Sequence, residues 1–174
     1  MKYLIEHGAD TTNTVFNDTL LNYECSLENI EFIKYLIEYG EDVNKKLNFH
    51  DTPLIIACEK KNEMLVRYLL RKGANINQSG KNGNSPLIIS CKKDDMTMVK
   101  YLIEHKANLD QRNDYENTAL LIACENGNEA LIKYLIENGA NINVENINGD
   151  TPLIKAISNN SNMNIIKLLV EYGA

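Results

Sequence analysis

Apolar residues along this chain fall into short blocks that come in pairs, separated by polar, turn-forming residues. One pair opens with Asp51-Thr52 and the run Pro53-Leu54-Ile55-Ile56-Ala57-Cys58, then breaks at Lys60-Lys61-Asn62. Its second block is Met64-Leu65-Val66-Arg67-Tyr68-Leu69-Leu70, closed by Gly73 and followed by Ala74-Asn75-Ile76-Asn77. The pattern predicts two short helices joined by a turn. Thr52 stands where a helix N-cap is wanted, and Pro53 takes the first helical position, where its missing N–H costs nothing. Gly73 suits the left-handed residue that ends a helix. The polar connectors carry Asn82-Gly83 and Asn148-Gly149, which are tight-turn signals.

The pair is a repeat. The opening phrase returns as Asn84-Ser85-Pro86-Leu87-Ile88-Ile89-Ser90-Cys91, as Asn117-Thr118-Ala119-Leu120-Leu121-Ile122-Ala123-Cys124 and as Asp150-Thr151-Pro152-Leu153-Ile154-Lys155-Ala156-Ile157, with a weaker copy at Asp18-Thr19-Leu20-Leu21. Thr19, Thr52, Ser85, Thr118 and Thr151 lie 33 residues apart without slippage, and all three prolines share one register. Second blocks recur at 32–37, 98–103, 130–136 and 165–170, with Gly40, Gly139 and Gly173 after three of them. A 33-residue unit of turn and two helices, with T-P-L-x-x-A in front and G-A-x-x-N behind, resembles the ankyrin repeat. The tetratricopeptide alternative lacks its Trp and Leu-Gly signature.

The resemblance implies an all-α ankyrin-repeat solenoid of stacked helix-turn-helix pairs joined by β-hairpin-like fingers. It covers 1–174 as a single domain, with a partial repeat over 1–18 and full repeats from about 19, 52, 85, 118 and 151. In the stub, Lys2 to His7 look like the second helix of an earlier repeat. Leu54, Ile56, Ala57, Leu65, Val66, Leu69 and Leu70, with their counterparts, are expected to build one continuous core, because a single helix pair cannot bury its apolar stripe.

Several departures from the family pattern matter. Its usual His after T-P-L is replaced by Asn22, Ile55, Ile88, Leu121 and Ile154, so apolar contact should replace inter-repeat hydrogen bonds there. Lys106 takes a C′ glycine slot, where positive φ costs a non-glycine residue roughly 1 kcal/mol. One extra residue sits in Asn159-Asn160-Ser161-Asn162, which predicts a longer inter-helix loop. Ile165, Ile166, Leu168, Leu169 and Val170 are as apolar as any internal copy, whereas terminal repeats normally turn polar outward. The chain is therefore expected to be part of a longer array or larger protein.

Charge and candidate chemistry narrow the function. With 18 basic against 24 acidic residues the net charge is −6, which argues against a phosphate-backbone binder. No apolar run approaches the ~20 residues of a membrane span, and MKYLIEHGAD is not read as a signal peptide. Cys25, Cys58, Cys91 and Cys124 form a column, one per layer. At about 10 Å between packed helices, such a column can form neither disulfides nor one zinc site. Reduced cysteines suit an intracellular, cytoplasmic location.

His7, His50 and His105 occupy unrelated registers, and two of them end second helices, where a partly charged imidazole suits the dipole. No P-loop, G-x-S-x-G or G-x-G-x-x-G occurs. No catalytic residue, metal or cofactor is implied. The pairs Lys45-Lys46, Lys60-Lys61 and Lys92-Lys93 are interrupted by acids and read as a solvated face. Asn44, Asn77 and Asn143 close the family's G-A-D-V-N phrase, are expected to hold the hairpin entry, and occupy a position that can be hydroxylated in the family.

Ankyrin-like arrays bind proteins on the concave surface made by fingertips and first helices. The resemblance therefore places partner binding on Phe16, Phe49, Lys81, Asn82, Asp114, Tyr115, Ile147 and Asn148 of the fingers. On the first helices it selects Glu59, Lys60, Lys92, Lys93, Glu125 and Asn126. The expectation is a monomeric, non-enzymatic module that binds another protein. Two other readings stand beside it: a recognition or regulatory domain of a larger enzyme or host-directed effector, and an oligonucleotide-sensing array.

Overall fold

The computed structural model describes residues 19–46, 50–159 and 162–174. They form five helix pairs: α1 (Leu20–Ser26) with α2 (Ile30–Glu38), α3 (Pro53–Glu59) with α4 (Glu63–Arg71), and α5 (Pro86–Lys92) with α6 (Met96–Glu104). Then come α7 (Ala119–Asn126) with α8 (Glu129–Glu137), and α9 (Pro152–Ser158) with α10 (Met163–Glu171). The stub over 1–18 lies outside the described residues. Among the described residues no helix is long and apolar enough to cross a membrane.

Each front helix starts by the same device. The hydroxyls of Thr19, Thr52, Ser85, Thr118 and Thr151 accept the amide three residues on, at 3.1 to 3.4 Å. That bond satisfies a donor the helix cannot pair internally. Rear helices use Asn29, Asn62, Asp95, Asn128 and Asn162 in the same role. Between the helices the chain turns through one left-handed residue: Glu28 (φ 57°), Lys61 (φ 55°), Asp94 (φ 53°) and Gly127 (φ 71°). Only the last is glycine, so at the other three the polar break marks a turn but no residue type marks its left-handed position. The rear helices start 33 residues apart until α10, which starts one later, as the extra residue predicts.

Layers join through their front helices, with α1 on α3, α3 on α5, α5 on α7 and α7 on α9. Small residues at the inner register, Ala57, Ser90, Ala123 and Ala156, are 0% exposed and let these helices approach. Rear helices stay further apart, so the stack curves with front helices and fingers inside. The rear gap is spanned by cations over tyrosines of the next layer: Arg67 lies 4.1 Å from the Tyr101 ring centre and Lys100 5.6 Å from that of Tyr134.

Two expectations about the core change. Ile55 is fully buried while Ile56 is only half-buried, because the residue after Leu54 faces the next layer and the one after it faces the concave surface. Asn22, in the family's His slot, does bond between repeats: its Nδ2 donates to Asp51 O at 2.9 Å. The other residues of that register are apolar and buried, except Ile154 at the outer face.

Asparagine does much of the remaining cross-linking. Asn44 donates to Gly73 O (3.0 Å) and accepts from Asn75 N (2.7 Å). Asn77 accepts from Asn108 N (2.8 Å), and Asn143 donates to Gly173 O (3.3 Å). These side chains hold the entry of the next repeat rather than their own. Most asparagines among the described residues are thus structural caps and links.

Lys106 adopts φ 68° where the other repeats carry Gly40, Gly73, Gly139 and Gly173. The lost left-handed penalty outweighs the extra unfolded-state freedom of glycine, so Lys106→Gly should stabilise the protein by about 0.5 kcal/mol. Urea unfolding followed by circular dichroism measures this; an unchanged or lower midpoint would show that the position is unstrained.

Candidate protein-binding surface

The third, fourth and fifth fingers, at 80–84, 113–117 and 146–150, are tight turns, each closed across its base by a backbone bond: Gly80 N to Asn84 O (2.9 Å), Asn113 N to Asn117 O (3.1 Å) and Asn146 N to Asp150 O (3.1 Å). Among the described residues they contain no strand. Within a finger, Asn113 Oδ1 accepts the amides of Tyr115 and Asn117, both at 3.0 Å. Asn146 Oδ1 does the same for Asn148 and Asp150. Between fingers, Asn113 Nδ2 donates to Asn84 Oδ1 and Asn146 Nδ2 to Asn117 Oδ1, both at 2.9 Å.

Backbone bonds repeat the link: Asp114 N donates to Asn82 O (3.0 Å) and Ile147 N to Tyr115 O (3.2 Å). Gly83, at φ 70°, is required here, since a Cβ would stand 2.6 Å from Asp114 N. Gly80 is required for the same kind of reason, with the Asp51 side chain and Ile55 Cδ1 occupying the space of a Cβ. The finger row is therefore a fixed scaffold whose tip side chains are left free.

Those tips project outward. Tyr115 is 50% exposed and Ile147 57%, while Lys81, Asn82, Asp114 and Asn148 are also exposed. Phe16 and Phe49 lie outside the described residues. On the front helices Glu59, Lys60, Lys92, Lys93, Glu125 and Asn126 are all exposed, at the end of the helices that line the concave side. Three of them have structural duties, among them Lys92, whose Nζ donates to Asn84 Oδ1 at 3.1 Å. Asn126 Nδ2 donates to Cys91 O (2.8 Å), tying two layers together, and Glu125 stands 3.7 Å from Lys155 Nζ.

Between the third finger and α5 lies a cleft of about 260 Å³. Lys81, Lys92 and Lys93 line it together with Asp51, Glu59 and Ile89. Ile89 belongs to the register of Ile56 and Ile122; Ile89 and Ile122 are buried in the core as expected, and Ile56 is half-buried against it. A wider cleft of about 540 Å³ opens on the rear helices, lined by Lys34, Glu38, Tyr68, Arg71 and Lys72. Burial pushes the Tyr68 phenol up from its ordinary pKa, with Glu38 adding to it.

The cysteines and His105 sit in structural surroundings. Cys25, Cys58, Cys91 and Cys124 are each buried in the front helix of their own layer. Burial pushes the thiols of Cys58 and Cys124 up to about 12 and that of Cys91 higher still. His105 caps α6 as read from the sequence; its Nδ1 donates to Tyr101 O at 2.8 Å and its ring lies 4.1 Å from that of Tyr101. Among the described residues no three His, Cys, Asp or Glu side chains gather into a metal site.

The thiol positions give a pH prediction with a definite sign. Cys58, Cys91 and Cys124 stay protonated when folded but ionise in the unfolded chain from about pH 9, so their contribution to stability is complete below pH 9 and declines between about 9 and 12. At pH 8 these three should react with a disulfide reagent only as fast as the protein opens. Rapid modification of the native protein would contradict their burial.

Comparison with known families fits the geometry. The family model described as ankyrin repeats, in three copies, matches residues 1–80 and 66–146, and that described as ankyrin repeat matches 148–174. No curated protein matches the chain. Taken with the capped helix pairs and linked fingers, these matches show that the chain belongs to the ankyrin repeat family.

Proposed function

We propose that this protein is a non-enzymatic module that recognises another protein through its concave surface, with fingertip side chains setting specificity. Ankyrin repeats generally mediate protein–protein interactions. The observation that carries the reading to this surface is the pair Tyr115 and Ile147, large apolar side chains half exposed on a backbone held by finger-to-finger hydrogen bonds. Exposed aromatics on a pre-ordered scaffold are efficient anchors, because little chain entropy is lost on binding. A standard contact buries about 800 Å² per partner, within reach of three or four adjacent layers. The location is proposed to be cytoplasmic, in keeping with thiols that remain reduced.

Affinity capture from source-cell or host-cell lysate tests this with the native array and Tyr115→Ser/Ile147→Ser, matched for thermal melting. Loss of an anchor pair should weaken capture of a specific partner at least about tenfold. Equal capture by both proteins would move the site off the fingertips.

One observation favours the second reading, a domain within a larger protein. Ile154 and Ile157 are 47% and 54% exposed at the outer face of α9, whereas Ile88 and Cys91 in the same registers are 1% and 0% exposed. A following layer would cover them as α5 is covered. An antibody to the array should then detect a species heavier than 19.7 kDa in source cells; a single band at 19.7 kDa would overturn this reading.

A further inference from the structure

We propose that the cleft between the third finger and α5 receives an acidic segment of the partner, whose neighbouring apolar residues pack on Tyr115 and Ile147. This rests on the concave reading above and adds the chemical class and direction of the ligand.

Three lysines against the carboxylates of Asp51 and Glu59 leave the cleft lining one positive charge in excess, on a protein of net charge −6. Among the described residues, Lys81, Lys92 and Lys93 have no carboxylate within 4.0 Å. Lys155, two layers along on α9, shows the contrast: it is neutralised by Glu125 and Asp150, both at 3.7 Å. The fold also fixes the Lys92 ammonium group, without cancelling its charge, and the backbone that carries Lys81. The backbone N–H of Lys81 donates to Asp51 Oδ1 at 2.9 Å, and Lys92 Nζ donates to the neutral amide oxygen Asn84 Oδ1 at 3.1 Å. Ile89 beneath them lowers the local polarity, which strengthens attraction to an incoming carboxylate.

Polyanions fit less well. Glu59 and Asp51 border the cleft and Asp114 stands on the next finger, so a backbone with a charge at every residue would meet carboxylates on either side. A segment with one or two acids avoids them. Beyond the cleft the surface turns apolar: Tyr115 is one layer away and Ile147 two, about 10 and 20 Å at ordinary helix spacing. An extended peptide covers those distances in about three and six residues. The ligand is thus an acidic residue or pair followed at that spacing by apolar side chains.

Selection from a phage-displayed random dodecapeptide library tests this on the intact 174-residue protein, beside Lys81→Glu/Lys93→Glu and Tyr115→Ser/Ile147→Ser, all matched for melting temperature. Native-selected peptides should be enriched in Asp and Glu, with apolar residues about three and six positions away. The Lys81→Glu/Lys93→Glu variant should bind them at least about tenfold more weakly and select Lys or Arg instead. Peptides that depend on Tyr115 and Ile147 but show no acidic enrichment would overturn the proposal and leave the concave reading standing. Peptides indifferent to both variants would overturn both, and so would a library that yields no binder. Preferential, steeply salt-dependent binding of a thymidine oligonucleotide through the same lysines would also overturn the acidic-segment proposal.

Discussion

No helix pair in this protein can bury its own apolar face, and every other feature depends on the contact that solves this. The middle of each front helix is covered from the side by the next layer: Ile55, Ile88 and Leu121 are at most 1% exposed, while Ile154, with no described layer beyond it, is 47% exposed. Stability is therefore shared between neighbours rather than stored within a repeat. That sharing demands strict spacing. One residue gained or lost before a capping hydroxyl would misplace the front helix, whereas α10 tolerates an extra residue because it falls in the loop between helices.

Close stacking in front and looser packing behind have a common cause in side-chain size. Ala57, Ser90, Ala123 and Ala156 occupy the front contact, whereas the rear register carries Tyr68, Tyr101 and Tyr134. The resulting curvature exposes the ends of the front helices and the fingers along one concave surface. Links between fingers run from side-chain amide to side-chain amide and from backbone to backbone, and do not use the tip side chains, so they do not constrain what the tips carry. Lysine, aspartate, tyrosine and isoleucine can follow one another along the row without disturbing the stack.

Polar groups share the work with the core in a definite division. Hydroxyls start the front helices, and asparagines start most of the rear ones, join successive fingers and hold the entry of the next repeat. The buried ones, such as the Thr52 cap and the Asn113–Asn84 link, satisfy groups that would otherwise be desolvated alone, at a cost of about 1–3 kcal/mol. The thiol column sits in the driest part of the same core, which accounts for its suppressed ionisation.

By itself the sequence determined the period, the helix pairs, the caps of the front helices and the glycine ends of most rear ones, because each rests on local chemistry: a hydroxyl before Pro53, a glycine at Gly73, an apolar block between. It also located the exposed tips Tyr115 and Ile147 and the left-handed Lys106. What it could not decide was which neighbour a side chain meets. Ile55 and Ile56 read alike, yet one faces the next layer and the other the concave floor. Asn22 and Asn126 read as a departure and a surface residue, yet both bond to another repeat. Lys81 and Lys92 lie in separate elements and converge on one cleft only when the third finger folds over α5. These outcomes depend on the rotation and separation of layers, which are set by packing across repeats.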